Sequence, residues 1–253
     1  MMSTSPQADL PERLRILNGC PCVVLQDEEH AVAVLHGLMT SKCGGYSVAI
    51  NAEKITLYGS RPEVRELIDR ATLPYADGAG AVLALKWLYG QRAKKINMPM
   101  ACLAGAARHG WRVFVLGARE EVNRKAVERI REIHPNIRIV GRMNGYEPDE
   151  RKIEALKEAQ PDLVMVALGS PRQEIFASGL QGHIPGVFVV GCGGALDVLA
   201  GVTRRAPSFM VDNGLEWLYR LVREPWRWRR QTVLPAFFVR LVLARFKAIG
   251  RSL

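Results

Sequence analysis

Short apolar runs alternate with amphipathic stretches along most of the chain. "CPCVVL" predicts a strand, "DEEHAVAVLHGLMTSK" a helix, and "GYSVAI" a second strand ending at Asn51. The period then turns helical: "RPEVRELIDRATL" has Pro62 at a helix start, and "GAVLALKWLYG" is an apolar helix behind the turn "ADGAG". From Trp111 the alternation is regular. "WRVFVLG", "IRIVG", "DLVMVALG" and "GVFVVG" read as strands, separated by the helices "REEVNRKAVERIREI", "DERKIEALKEA" and "RQEIFASGL". Continuous apolar strands alternating with amphipathic helices predict a parallel sheet covered on both faces, a Rossmann-like α/β layer. That layer is expected over residues 1–203, with a helical appendage over 204–253.

Ligands of such sheets bind beyond the carboxyl ends of the strands, which directs attention to "GAREE", "GRMNGYEP", "GSPRQE" and "GCGGALD". No G-x-G-x-x-G follows any strand, so no NAD or FAD cofactor is expected. "GCGGALD" places Gly191, Gly193 and Gly194 where backbone N–H groups approach a phosphate closely, or where the chain simply turns tightly. In "LGSPRQE", Ser170 as a helix cap and Glu174 in the first turn need no ligand, but Gln173 is left without a reason. Asp77 in "YADGAG" is either turn or N-cap chemistry or a reactive carboxylate, and Asn51 either closes a turn or binds sugar hydroxyls.

Charge changes the picture at the other end. The net charge is +10, and from Arg204 to Leu253 eleven Arg or Lys stand against three Asp or Glu. Such asymmetry points to an anionic partner. Arg220, Arg227 and Arg230 fall along one side of a continued helix, within about 80° of each other, as a pyrophosphate clamp requires. Trp226, Trp228, Phe237 and Phe238 stand beside basic residues, and "VLPAFFVRLVLARFKAIG" has an apolar and a cationic side. That pattern suits a helix lying in an anionic membrane surface. The competing readings are a solvated basic tail, or tryptophans packed into the domain or into a second copy of the chain. Nucleic acid is not expected, since the basic residues sit beside bulky aliphatics.

The remaining composition mainly excludes. Five cysteines without C-x-x-C spacing fit a reducing cytoplasm, no secretory signal is evident at the start, and no apolar run reaches eighteen residues. The five histidines share no ligand spacing and no Asp-x-Asp pair is present, so no metal is expected and a diphosphate would fall to arginines or helix N-termini.

Taken in order, "VAINAEK", "YADGAGAV", "VALGSPRQEIF", "GCGGALDVLAGVTRRAP" and "GLEWLYRLVREPWRWRRQ", from about Ser47 to Gln231, resemble the WecG/TagA/CpsF glycosyltransferases (glycosyltransferase family 26). The wording of "VAINAEK", "VRELI", "YADG" and "GSPRQEIF" looks most like the branch that transfers N-acetylmannosaminuronic acid. The resemblance implies an inverting, metal-independent enzyme, peripheral on the cytoplasmic face of the membrane. It would move a sugar from a UDP donor to a polyprenyl-diphosphate-linked acceptor, GlcNAc on undecaprenyl diphosphate. UDP-N-acetylmannosaminuronic acid is the donor it favours, with UDP-N-acetylmannosamine or UDP-glucose next. By the same resemblance Asp77 matches the general base, and Asn51 and Gln173 line the sugar site. Asp197 and Tyr146 match contacts to the uridine, beside the donor-binding backbone that the Gly193–Gly194 turn would supply, and Arg220, Arg227 and Arg230 match arginines that hold the diphosphate. Two positions depart from the family pattern: Ala49 stands where many members have threonine, and "KINMPMACL" (Lys95 to Leu103) replaces a segment that usually carries arginine, glycine and aspartate. The second departure motivates the alternative of a non-catalytic, membrane-bound scaffold.

Overall fold

The computed structural model describes residues 10–203, 207, 210, 216–223 and 232–249. Its frame is an eight-stranded sheet of order β1-β2-β4-β3-β8-β7-β5-β6. The strands are β1 (Arg13–Arg15), β2 (Pro21–Val23), β3 (Gly45–Ile50), β4 (Leu73–Ala76), β5 (Arg112–Gly117), β6 (Arg138–Met143), β7 (Leu163–Ala167) and β8 (Phe188–Gly191). All pairings are parallel except β1 with β2. The doubly covered α/β layer read from the pattern is therefore the observed fold.

The helices divide between the two faces. On the first lie α2 (Ala52–Ser60), α3 (Pro62–Asp69), α4 (Ala79–Tyr89), α7 (Asp149–Ala159) and α8 (Arg172–Leu180), whose apolar residues share one core cluster with Tyr46, Val48, Val164 and Val189. On the second lie α1 (Glu28–Ser41), α5 (Met98–His109), α6 (Glu120–Ile133) and the short α9 (Ala195–Leu199), clustered with Leu73, Val113, Met165 and Val190. Successive strand residues point to opposite faces, so strands apolar at every position supply both cores.

Four elements differ from the expected pattern, β4 among them, since the pattern predicts no strand at Leu73–Ala76. The helix begun at Pro62 stops at Asp69 instead of running to Leu73, because the Thr72 amide donates to the Tyr46 carbonyl (3.0 Å) and draws the chain into β4 beside β3. Helix α5 occupies Met98–His109, and β1 forms an antiparallel edge.

Beyond these lie α10 (Glu216–Arg223) and α11 (Val233–Ile249). Helix α11 is seated on the first face: Phe237 and Leu241 are fully buried in its core cluster. The reason is at Gly80 of α4, where a Cβ would meet the Phe237 ring at 3.3 Å and the Ala52 Cβ at 3.2 Å. A bare glycine leaves the slot the ring fills. Phe237 is thus a core residue, not the interfacial aromatic its neighbours suggested. Phe238, edge-on to it, is 46% exposed.

Candidate active site

The carboxyl ends of the parallel strands face one way, and the chain leaves them toward opposite faces. Helices α2 and α8, which follow β3 and β7, pack on the first face; α9, which follows the intervening β8, packs on the second. In open α/β sheets such diverging exits mark the end of the sheet at which ligands bind. Asp77 ends β4, Asn51 ends β3, Gly193 and Gly194 follow β8, and Gln173 follows β7. These four strands are contiguous, about 14 Å across at a spacing of roughly 4.8 Å.

Asn51 and Asp77 are brought closest. Ile50 is in register with Ala76, and the Asp77 amide donates to the Ile50 carbonyl at 2.8 Å, so the two residues leave adjacent strands side by side. Asp77 is half-buried and is not the helix cap, a position taken by Gly78. Gly78 has φ +95° and ψ 160°, a conformation that only glycine adopts readily, and it turns the chain from strand to helix directly behind the carboxylate. Asn51 does close a turn: its Oδ1 accepts from the Lys54 amide at 2.9 Å, capping α2. What it then offers a ligand is chiefly its Nδ2 donor.

Behind these tips the titratable groups are neutral. Burial raises the Tyr75 phenol, with Asp77 adding to the rise; burial likewise raises the Cys102 thiol and pushes Cys192 up to about 12. At neutral pH none of the three accepts a proton, which leaves carboxylates as the bases at these strand ends.

Between α2 and α8 runs a polar chain whose key partners carry no motif of their own. Lys54 Nζ pairs with Glu174 Oε1 at 2.6 Å, the side chains being 13% and 6% exposed. Gln173 Nε2 donates to the same oxygen at 3.3 Å and packs on Gly191, where a Cβ would stand 2.5 Å from that nitrogen. Gln173 Oε1 and Glu174 Oε2 are buried with no hydrogen-bond partner among the described residues. Each such acceptor costs about 1–3 kcal/mol if left so. Ser170, expected to cap α8, stands exposed one residue before the actual N-cap, Pro171. Glu174 does lie in the first turn of α8, and it is also the buried partner of Lys54. Nothing in the local pattern marks Lys54, whose partner lies 120 residues away.

Beyond the Gly193–Gly194 turn, the other expected residues lie further from these tips or outside the described residues. Gly193 and Gly194 are exposed, and a Cβ at either would meet nothing within 4 Å. Asp197 is half-buried on α9, its carbonyl accepting from the Val202 and Thr203 amides. Tyr146 is 77% exposed beyond β6, two strands further out than β7, in a loop drawn back over β5 by the Gly145 amide donating to the Ala118 carbonyl at 2.8 Å. It stands beside an open groove of about 530 Å³ lined by Arg142, Asn144, Glu147 and Arg151 among others. Arg220 is on α10 with its side chain outside the described residues, and Arg227 and Arg230 lie outside them altogether. The departing segment at Lys95–Leu103 opens α5, and its Ile96, Met98, Ala101, Cys102 and Leu103 are buried in the second-face core.

Residues 16–251 match the Glycosyl transferase WecG/TagA/CpsF family, nearly the whole described chain and both sides of the boundary expected at 203/204. The chain belongs to this family. It is accordingly a glycosyltransferase of cell-surface polysaccharide synthesis, acting on a sugar donor and an acceptor. The row of strand tips from Asp77 to Gln173 carries a carboxylate and two side-chain amides. No helix among the described residues is long and apolar enough to cross a membrane.

Proposed function

We propose that this chain transfers N-acetylmannosaminuronic acid from its UDP derivative to GlcNAc on undecaprenyl diphosphate, with inversion and without a metal ion. The observation that carries the reading is the pairing of Asp77 and Asn51 at the tips of adjacent strands, a carboxylate beside an amide donor. Asp77 takes the proton of the acceptor 4-hydroxyl as that oxygen attacks the anomeric carbon from the face opposite UDP. The Gly193–Gly194 turn lets backbone approach the donor diphosphate, and Asp197 and Tyr146 contact the uridine. Arg220, Arg227 and Arg230 stabilise the charge developing on the departing diphosphate.

The lipid acceptor gives α11 a second task. At about 100° per residue, Phe238, Val239, Val242, Leu243 and Phe246 form an arc roughly opposite the buried Phe237 and Leu241. All five are exposed, and Arg240 and Arg245 flank the arc. A helix held to the protein by one ridge and offering a second apolar ridge between cations suits the inner surface of an anionic membrane. The protein would then work as a peripheral enzyme on the cytoplasmic side.

The test is transfer by purified protein, with EDTA present, from UDP-N-acetylmannosaminuronic acid, UDP-N-acetylmannosamine and UDP-glucose to a short-chain lipid diphosphate GlcNAc. Transfer from the first donor is expected, and Asp77→Asn should abolish it while UDP affinity stays within about twofold. Turnover near the parent level in that variant would remove Asp77 as the base. Failure to bind UDP would favour a non-catalytic scaffold, the alternative motivated by the altered segment at Lys95–Leu103, whereas UDP binding without transfer from any of the three would point to a different donor or acceptor.

A further inference from the structure

Lys54 and Glu174 have no role in the reading above, yet they form a buried ion pair that touches the row of strand tips. Their geometry constrains Gln173. A carboxylate only accepts hydrogen bonds, so an amide facing Glu174 Oε1 must turn its NH2 group there. The opposite end of the amide, Oε1, is then turned away from Glu174. It is buried and has no partner among the described residues, as does the second carboxylate oxygen, Glu174 Oε2. Glu174 is itself fixed by Lys54, whose backbone amide is held by Asn51. The order Asn51, Lys54, Glu174, Gln173, Gly191 is therefore one continuous connection from the tip of β3 to the tip of β8.

We infer that the Lys54–Glu174 pair is a positioning device: it sets the amide of Gln173 so that its oxygen, not its nitrogen, is presented to the donor sugar as an acceptor for a hydroxyl or an acetamido N–H. The inference rests on the glycosyltransferase reading and deepens it by stating which hydrogen-bonding group the site demands of the sugar. Two buried acceptors that lack donors favour a ligand rich in O–H and N–H groups. A sugar whose matching hydroxyl is absent or methylated would leave Gln173 Oε1 without a partner and bind more weakly.

Exchanging the two charges separates this role from a structural one. Lys54→Glu alone and Glu174→Lys alone each leave two like charges together and should lower the melting temperature. The double variant Lys54→Glu/Glu174→Lys restores an ion pair across the same gap, so its melting temperature should return close to the parent's. A lysine at position 174 donates instead of accepting, which forces the Gln173 amide to turn its oxygen inward and offer its NH2 to the sugar. The experiment measures affinity for UDP and for UDP-N-acetylmannosaminuronic acid, UDP-N-acetylmannosamine and UDP-glucose by calorimetry in the parent and the double variant.

In the double variant UDP should bind as in the parent. The extra affinity conferred by the best-bound sugar should fall by about tenfold, the worth of one buried hydrogen bond. In turnover, KM for that donor should rise while the acceptor KM stays in place. A double variant that recovers both its melting temperature and its sugar preference would overturn the inference while leaving the proposed function intact. A parent protein that binds UDP but gains nothing from any of the three sugars would overturn the sugar-site reading and this inference with it.

Discussion

Replacing Phe237 by alanine tests whether α11 belongs to the body of the enzyme. Phe237 is 1% exposed and its ring fills the slot over Gly80, so truncation removes most of a phenyl ring from a closed core. Losses of this kind cost about 3–5 kcal/mol, because the lost transfer energy is joined by the cavity left behind. Spread over the whole fold at about 2–4 °C per kcal/mol, that is a fall in melting temperature of roughly 6–20 °C. The effect should also be local, since the slot lies between α2, α4 and α11. Hydrogen exchange in residues 233–249 should accelerate by about a hundredfold or more, each 1.4 kcal/mol being worth a factor of about ten. Gly80 lies three residues beyond Asp77, so turnover should fall as well. Melting temperature, exchange rates and transfer rate measured on one preparation check all three. Exchange unchanged over residues 233–249, together with a parental melting temperature, would refute the docking argument outright.

Leu243→Glu/Phe246→Glu changes the opposite ridge, at residues 55% and 68% exposed. It should cut sedimentation with anionic vesicles by about tenfold or more while barely moving the melting temperature; unaltered sedimentation would remove α11 as the membrane contact. Asn123→Leu removes a fully buried NH2 group whose two N–H donors are shared among the carbonyls of Val115, Gly117 and Met143, joining β5 to the end of β6. A loss of about 3 kcal/mol is expected by denaturant titration. Stability should also decline in mild acid at His109, which is stacked on His36 with ring centroids 3.9 Å apart and has Arg108 as its chain neighbour. Desolvation first, then His36 and Arg108, lower its pKa from 6.5. The folded protein therefore takes up that proton less readily than the unfolded chain. The contribution is complete above about pH 6.5 and is lost as pH falls through the lower folded value. His109→Gln should flatten the fall in melting temperature between about pH 7 and 5; an unchanged slope would assign the decline to other groups.

The parallel layer was legible because β3, β5, β7 and β8 are short apolar runs between helices with a clear period. Helices α7 and α8 occupy the residues their patterns indicate. Strand β4 was not, since its four residues include Pro74, which cannot donate to a ladder and argues against an interior strand. Helix α5 hid for another reason: it is buried along most of its length, with Gly105 admitting the Trp111 ring, so its apolar residues show no amphipathic period. Missing β4 concealed the feature that matters most at the site. Asp77 and Asn51 are both conspicuous in the sequence, but only the register of β3 with β4 puts them side by side. The Lys54–Glu174 pair had no local signal, because an ion pair across 120 residues leaves none.

The seating of α11 has a consequence for how the protein is made. Among the described residues the second-face core draws on none after Ala200, so this part of it can close while the ribosome is still adding the remainder. The first-face core cannot, because Phe237 and Leu241 are part of it. Until they emerge, Gly80 and Ala52 border an open apolar slot beside the Asp77 turn. Among the described residues, one side of the sheet thus has its core complete in sequence before the other, and the side that waits is the one on which α4, the helix that follows Asp77, packs. Transfer activity should accordingly appear only after residue 241 has left the ribosome.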